Sequence, residues 1–135
     1  MRHLITALLI GMIFTLPGCF CSYEVTYVVN VQDPTANTRV DVEYTDEGGT
    51  HYESNVSIPW QKTVTFTEVW DDTEEEDDYT YDSTDEESVY ACLTVRAYDS
   101  SSVTTNAAIS VEGDIKEHET KTGTYSCLYL SHWIY

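Results

Sequence analysis

Basic residues are scarce in this sequence: six Lys and Arg stand against 24 Asp and Glu, and the formal net charge is −18. A chain this acidic repels nucleic acids and anionic lipid headgroups, so we exclude both as partners. Cys-x-x-Cys pairs and Gly-x-Ser-x-Gly elbows are absent, and the four histidines are scattered. Because zinc sites and serine nucleophiles need such patterns, we expect a protein that is not an enzyme and has no cofactor.

Long apolar runs are missing as well, except at the N-terminus. Arg2 and His3 precede the run at residues 4–16, LITALLIGMIFTL. As a helix this run would extend about 20 Å, which is short of a bilayer's ~30 Å hydrocarbon core. A basic head followed by a short apolar run is typical of a secretory signal. We therefore predict a signal peptide over residues 1–18 and a protein that works outside the cytoplasm.

The end of the apolar run carries a second signal. The segment Leu16-Pro17-Gly18-Cys19 resembles the lipobox of bacterial lipoproteins. The resemblance implies that Cys19 is diacylated and becomes the first residue of the mature chain, with residues 19–22 as anchor and short linker. Two acyl chains hold a protein stably on a bacterial cell membrane. The alternative is ordinary cleavage near Gly18 and a freely secreted product.

The rest of the chain, residues 23–135, has the patterns of a single β-domain. From Tyr23 to Val31, apolar residues alternate with polar ones, which is the period of a half-buried strand. Turn sequences such as Asp46-Glu47-Gly48-Gly49 separate about seven to eight such segments, and no amphipathic helix occurs. This spacing predicts an antiparallel, immunoglobulin-like β-sandwich.

Five short segments follow one another along this domain: residues 23–27 (YEVTY), 42–46 (VEYTD), 57–64 (SIPWQKTV), 111–114 (VEGD) and 122–125 (TGTY). In this order they resemble the MmpS family of small envelope β-sandwich proteins, which assist MmpL lipid and siderophore exporters. The resemblance implies a non-enzymatic binding or transport accessory module. Its implied partner is an MmpL-type exporter or another envelope protein.

The most specific of these segments contains Trp60. An indole that follows Pro59 at the start of a strand can cover the open end of a sandwich. We therefore predict that Trp60 is a structural anchor, and a contact with a ligand is the alternative.

Three cysteines remain if Cys19 is acylated. Cys92 and Cys127 lie in predicted strands, and export places them in an oxidising compartment. We predict a disulfide between them, which the loop-entropy model values at roughly 4 kcal/mol. The bond requires both side chains to lie on the same face. Cys21 is beside the anchor and is expected to be free or acylated.

Acidic residues are concentrated at positions 71–87, and no base occurs from residue 63 to residue 95. Such dense like charge predicts a solvated loop. Hard carboxylate oxygens also suit calcium, although the spacing of an EF-hand is absent. The alternative function is therefore a cation-responsive surface or adhesin-like protein that binds divalent cations weakly. Its metal ligands would be Asp71, Asp72, Glu74, Glu75, Glu76, Asp77 and Asp78.

Overall fold

The computed structural model describes residues 20–69 and 88–135, and all regular structure in these residues is β-strand. Every strand pairing among them is antiparallel, so the predicted antiparallel all-β fold is confirmed. In this part of the chain, no helix has the length and hydropathy to cross a membrane. The strands in chain order are β1 (Phe20–Gln32), β2 (Arg39–Asp46), β3 (Gly49–Glu53), β4 (Trp60–Val69), β5 (Tyr90–Val111) and β6 (Asp114–Trp133).

The six strands form one curled sheet that packs as two layers. Its order is β3-β2-β5-β1-β4, with β6 paired to β5. Strand β5 pairs with β2 through residues 93–98 and with β1 through residues 104–111. The first layer therefore contains β3, β2 and residues 90–98 and 125–133, and the second contains β4, β1 and residues 103–111 and 114–123. The two layers share the long β5–β6 hairpin.

A corner divides the β5–β6 hairpin between the layers. Tyr98 lies opposite Tyr125 and Val103 lies opposite Gly123, so residues 99–102 face Thr124 alone. Such a bulge bends the strand and increases its twist. The sequence predicted about seven to eight strands, and Asp99-Ser100-Ser101-Ser102 has the composition of a loop. The structure has six described strands because pairing continues on both sides of this bulge.

The core is built mainly by the alternation of β1 and β5, the two central strands of the sheet. Odd-numbered residues of β1 and β5 point inward, and the same odd phase holds on both sides of the β5 corner. Burial of apolar area contributes about 25 cal/mol per Å² and is the main source of stability. The largest fully buried hydrophobic side chains are Tyr27, Phe66, Leu93, Ile109 and Leu128.

Two short polar features fix the hairpin. Glu112 and Gly113 connect β5 to β6 with φ angles of 51° and 83°, the left-handed region that a type I′ hairpin turn requires at both positions. At the other end, Asp99 accepts hydrogen bonds from the Thr35 hydroxyl at 2.9 Å, the Ser101 amide at 2.9 Å and the Thr38 hydroxyl. Asp99 thus joins the β1–β2 loop to the β5 corner.

Candidate functional site: an exposed aromatic face

The outer surface of the first layer is rich in aromatic side chains. Seven large hydrophobic residues are exposed among the described residues, and Ile115, 68% exposed, is the only one outside this layer. The inward residues of β5 and β6 form the core, so the residues between them point outward. We call the six exposed aromatic residues of the first layer the aromatic face: Tyr52, Tyr90, Tyr98, Tyr125, Tyr129 and Trp133.

The register arranges five of these six side chains along the strands. Tyr90 lies opposite Trp133 at one end, and Tyr98 lies opposite Tyr125 at the other, where the ring centroids are 5.1 Å apart. Tyr129 lies midway, opposite Thr94. At a rise of about 3.4 Å per residue, aromatic positions recur roughly every 14 Å along β6. The face is therefore an elongated strip.

Charges on the aromatic face are few and balanced. Arg39, Asp41 and Glu43 occupy alternate positions of β2, and Arg96 of β5 lies opposite Asp41. Arg39 Nε is 3.4 Å from Asp41 Oδ1, and the backbone amide of Asn55 donates to the same oxygen at 2.8 Å. This amide, followed by Arg39, lowers the pKa of Asp41 below its usual value. The face is thus close to neutral in a chain of net charge −18.

A shallow groove of about 180 Å³ crosses the centre of this face. Tyr129 Oη forms one side and donates to Cys92 Sγ at 3.9 Å, and this contact raises the pKa of Tyr129. Across the groove, Thr45 Oγ1 accepts from the Cys92 amide at 2.9 Å. The groove therefore offers hydroxyl, thiol and carboxylate groups beside an aromatic ring. It is lined by Glu43, Tyr44, Thr45, Thr50, Cys92, Thr94 and Tyr129.

A larger open groove of about 560 Å³ lies at the end of the sandwich, beside the β2–β3 turn. Its two carboxylates already have partners, because Asp46 Oδ1 is 2.8 Å from His51 Nε2 and Glu47 accepts from the Thr67 amide. The His51 contact is the main reason that the pKa of Asp46 is lowered. These contacts hold the end of the sandwich together, and we assign the groove no ligand.

The predicted Cys92–Cys127 disulfide is wrong. Cys92 lies opposite Ser131 and Cys127 lies opposite Arg96, so the two cysteines are four positions apart along the β5–β6 ladder. That offset corresponds to roughly 13 Å, whereas a disulfide needs Cα atoms within about 7 Å. Both thiols are free. Both side chains lie on the same outer face, as the bond requires, but the cross-strand register separates them.

Trp60 is only 8% exposed and belongs to the core cluster. Its Nε1 donates to Glu53 Oε2 at 3.1 Å, and its ring centroid is 5.7 Å from that of Tyr44. Lys62 Nζ lies 5.6 Å above the Tyr44 ring and 4.0 Å from Glu53 Oε1. Within the segment that resembles MmpS most specifically, Trp60 is therefore the residue that packs into the core, and the segment does not contribute to the aromatic face.

Several predicted sites lie outside the described residues. These are the signal peptide at residues 1–18, the lipidation site Cys19 and the acidic segment 71–87 with its seven candidate metal ligands. Among residues 20–69 and 88–135, no group of three His, Cys, Asp or Glu side chains could hold a metal ion. His132 Nδ1 is instead 3.3 Å from Glu117 Oε1, which is a pairwise contact.

The aromatic face was not anticipated from the sequence, although a signal for it exists. From residue 125 to residue 134, bulky apolar residues occupy both phases of the alternation: Leu128 and Leu130 in one, Tyr129 and Trp133 in the other. Only one phase of a two-layer sheet can point to the core, so the other must be exposed. Comparison with known protein families found no matching family model, and comparison with curated proteins found no significant match.

Proposed function

We propose that this protein is a non-enzymatic binding module of the bacterial cell envelope, anchored outside the cytoplasm through a lipid on Cys19. Its working surface is the aromatic face, and its partner is another envelope protein. The observation that carries the proposal is the concentration of exposed Tyr and Trp with two Arg residues on one nearly neutral face.

This composition is the one that protein interfaces favour. Tyr, Trp and Arg are enriched at interface centres, whereas Lys, Glu and Asp are depleted there. Contiguous exposed apolar patches on a monomer are costly and mark interaction sites. A partner that covers Tyr129 and Trp133, 65% and 58% exposed, would remove a large apolar area from water.

The charges define the chemistry that the partner must present. Arg96 lies between Asp41 of β2 and Cys127 of β6 in the ladder, and it forms no ion pair within the described part of the chain. A guanidinium can bind a carboxylate through two parallel hydrogen bonds. We therefore expect an apolar partner surface with a carboxylate opposite Arg96. The acidic remainder of the molecule repels other acidic surfaces and so favours docking through this face.

The N-terminal sequence and the motif series support an envelope location for this module. The lipobox-like segment ending at Cys19 supports a membrane anchor, and the resemblance to the MmpS family favours an MmpL-type exporter as the partner.

Site-specific photo-crosslinking in native membranes tests the proposal. A photoreactive residue at Tyr52 of the full-length protein, 57% exposed and distant from the β6 edge, should crosslink to one envelope protein, identified by mass spectrometry as an MmpL-type exporter or another integral envelope protein. The matched control is the same group at Thr104, which is in the other layer. The substitution Arg96→Glu should reduce the Tyr52 crosslink several-fold. Equal crosslinking from both positions, or crosslinks only to lipid or glycan, would overturn the assignment.

The same preparation tests the alternative function suggested by the acidic residues. Melting is measured in chelator, in calcium and in magnesium. A binding module of the proposed kind should respond weakly and equally to both ions. A large rise in melting temperature with calcium alone would favour the cation-responsive protein instead.

A further inference from the structure

The described part of the sheet has three edge strands, and two of them are protected against pairing. Strand β3 has only five residues. On β4, the Thr67 amide donates to Glu47 and the Thr67 carbonyl accepts from the Tyr135 hydroxyl at 3.1 Å. Strand β6 has 20 residues and pairs with β5 alone among the described strands. An unpaired edge is a template for another strand, so the length of β6 makes it the edge most able to pair.

The two halves of β6 differ in how well they are protected against pairing with another strand. Residues 114–122 read DIKEHETKT, with five charged side chains of both signs. Residues 125–133 read YSCLYLSHW, without Asp, Glu, Lys, Arg, Pro or Gly. Charged side chains and prolines are the devices that keep edges from pairing. The first half of the β6 edge is protected by charge, whereas the second half is open to a partner strand.

Backbone directions show which groups are available at this open edge. The Cys92 amide donates to Thr45 on the β2 side of β5, so Cys92 and Ser131 form a non-hydrogen-bonded pair in the β5–β6 ladder. Antiparallel pairs alternate between bonded and non-bonded. The N–H and C=O groups of residues 125, 127, 129, 131 and 133 therefore point away from β5. The Lys121 ammonium lies 3.5 Å from the Cys127 carbonyl, as this direction requires, and a partner strand replaces this single exposed contact.

We infer that residues 125–133 pair with the same residues of a second copy of this chain, as an antiparallel two-fold dimer. A two-fold axis at Tyr129 pairs odd residues with odd residues, which is the match that the outward N–H and C=O groups demand. It places Tyr125 beside Trp133 of the second copy on the outer side. On the inner side it places Leu128 beside Leu130 of the second copy. Aromatic and aliphatic cross-strand pairs of this kind stabilise antiparallel ladders.

The charge distribution along β6 limits contact between two copies to this edge. Two chains of net charge −18 repel each other, so they associate only where acidic groups are absent from the contact. The 125–133 edge meets this condition, and the corner at Thr124 turns the charged half of β6 into the other layer. The dimer uses the sheet edge and keeps the aromatic rings on the outer side of the joined sheet. It is therefore independent of the proposed docking function, and it would join two aromatic faces into one surface.

Two experiments on the full-length protein test the dimer. Sedimentation should show a concentration-dependent dimer for the native chain and for Ser131→Ala. The substitution Ser131→Pro should give a monomer, because proline removes an N–H that points to the free edge and leaves the bonds to β5. A native chain that stays monomeric at the highest concentration reached would overturn the inference.

Cysteine crosslinking tests the register and does not depend on how well the proline variant folds. In a background with Cys21, Cys92 and Cys127 changed to Ser, Tyr129→Cys places two thiols on the axis, at a Cα distance of about 5.5 Å. Oxidation should convert most of this variant to a disulfide-linked dimer. Thr94→Cys is the control, since it is one strand further from the axis and should remain uncrosslinked. Equal crosslinking of both variants, or of neither, would contradict the pairing. A monomer that instead captures a foreign strand at this edge would contradict the choice of a second copy.

Discussion

The outer surfaces of the two layers have the same backbone geometry but opposite chemistry. The second layer presents a threonine face, made of Thr26, Thr63, Thr65, Thr104, Thr120 and Thr122. Its hydroxyls pair across strands: Thr26 and Thr63 are 3.0 Å apart, and Thr104 and Thr122 are 2.8 Å apart. The first layer presents the aromatic face at equivalent outward positions.

This difference distinguishes the side chains that a stable sheet requires from those that serve another purpose. Threonine fits a pleated, solvated surface, so the second layer meets every requirement of an outer sheet face without exposed rings. Aromatic residues also favour strands, but an exposed strip of them adds an interaction hazard. The aromatic face is therefore not a requirement of the fold. This comparison is the basis for assigning the binding role to the first layer.

The largest effect on the free energy of unfolding is expected from a comparison of two tryptophans, one in the core and one on the aromatic face. Trp60→Ala should lower the free energy of unfolding by about 3–5 kcal/mol, because it leaves a cavity and frees Glu53 from the indole hydrogen bond. Trp133→Ala, at a side chain 58% exposed, should change it by less than about 0.5 kcal/mol. Urea unfolding of both variants provides the measurement. Similar losses for the two would show that the aromatic face supports the fold.

Local alternation in the sequence predicts much of the fold but not the neighbours of each strand. Residues 89–97 alternate in the sequence, and in the structure Leu93 and Val95 are buried whereas Cys92 lies on the opposite face. Alternation has a period of two residues, so it determines the face of Cys92 and Cys127 but not their positions along the ladder. The disulfide prediction failed for that reason. Likewise, Asp99-Ser100-Ser101-Ser102 resembles a loop locally, and only the pairing of its flanks makes it a corner.

Less of the candidate site could be predicted. Tyr129 and Trp133 are ordinary strand formers, and their exposure depends on which phase of β6 faces the core. Tyr52 joins them through β3, whose place beside β2 follows from hairpin closure, but the assembly of the face depends on β2 pairing with β5. These are contacts between distant parts of the chain. The role of Trp60 could be predicted because it depends on a local feature, the proline that precedes it at the start of a strand. Trp60 is buried as expected.

An intermediate effect on the free energy of unfolding is expected at Thr105, whose hydroxyl is buried, unlike those of the threonine face. Thr105 Oγ1 is buried and has no hydrogen-bond partner within the described residues, whereas neighbouring Thr104 bonds to Thr122. Thr105→Val should raise the free energy of unfolding by about 1 kcal/mol, because a desolvated hydroxyl is replaced by a methyl group. Thr104→Val should be neutral or slightly destabilising. Thermal unfolding of the pair checks this, and a loss of stability in Thr105→Val would indicate a bound water.

The smallest effect is expected at the corner between the two layers, where Asp99 is at the surface. Hydrogen bonds from the Thr38 hydroxyl, the Ser101 amide and the Thr35 hydroxyl hold the pKa of this carboxyl well below its ordinary value of 3.8. Asp99→Asn keeps the shape but removes the charge that these donors stabilise. The variant should therefore have a lower urea midpoint than the native chain at pH 7.

The sign of the pH dependence follows from linkage. Because the folded pKa of Asp99 is lowered, the unfolded chain binds more protons as the pH falls below 3.8. The contribution of Asp99 is complete above that value and is lost as the pH falls through the folded pKa. Asp41 and Asp46 shift in the same direction, so the native chain alone does not isolate Asp99. The difference in urea midpoint between the native chain and Asp99→Asn does, and it should narrow from pH 7 to about pH 2. A difference that stays constant over this range would mean that the corner is held by the shape of residue 99 and not by its charge.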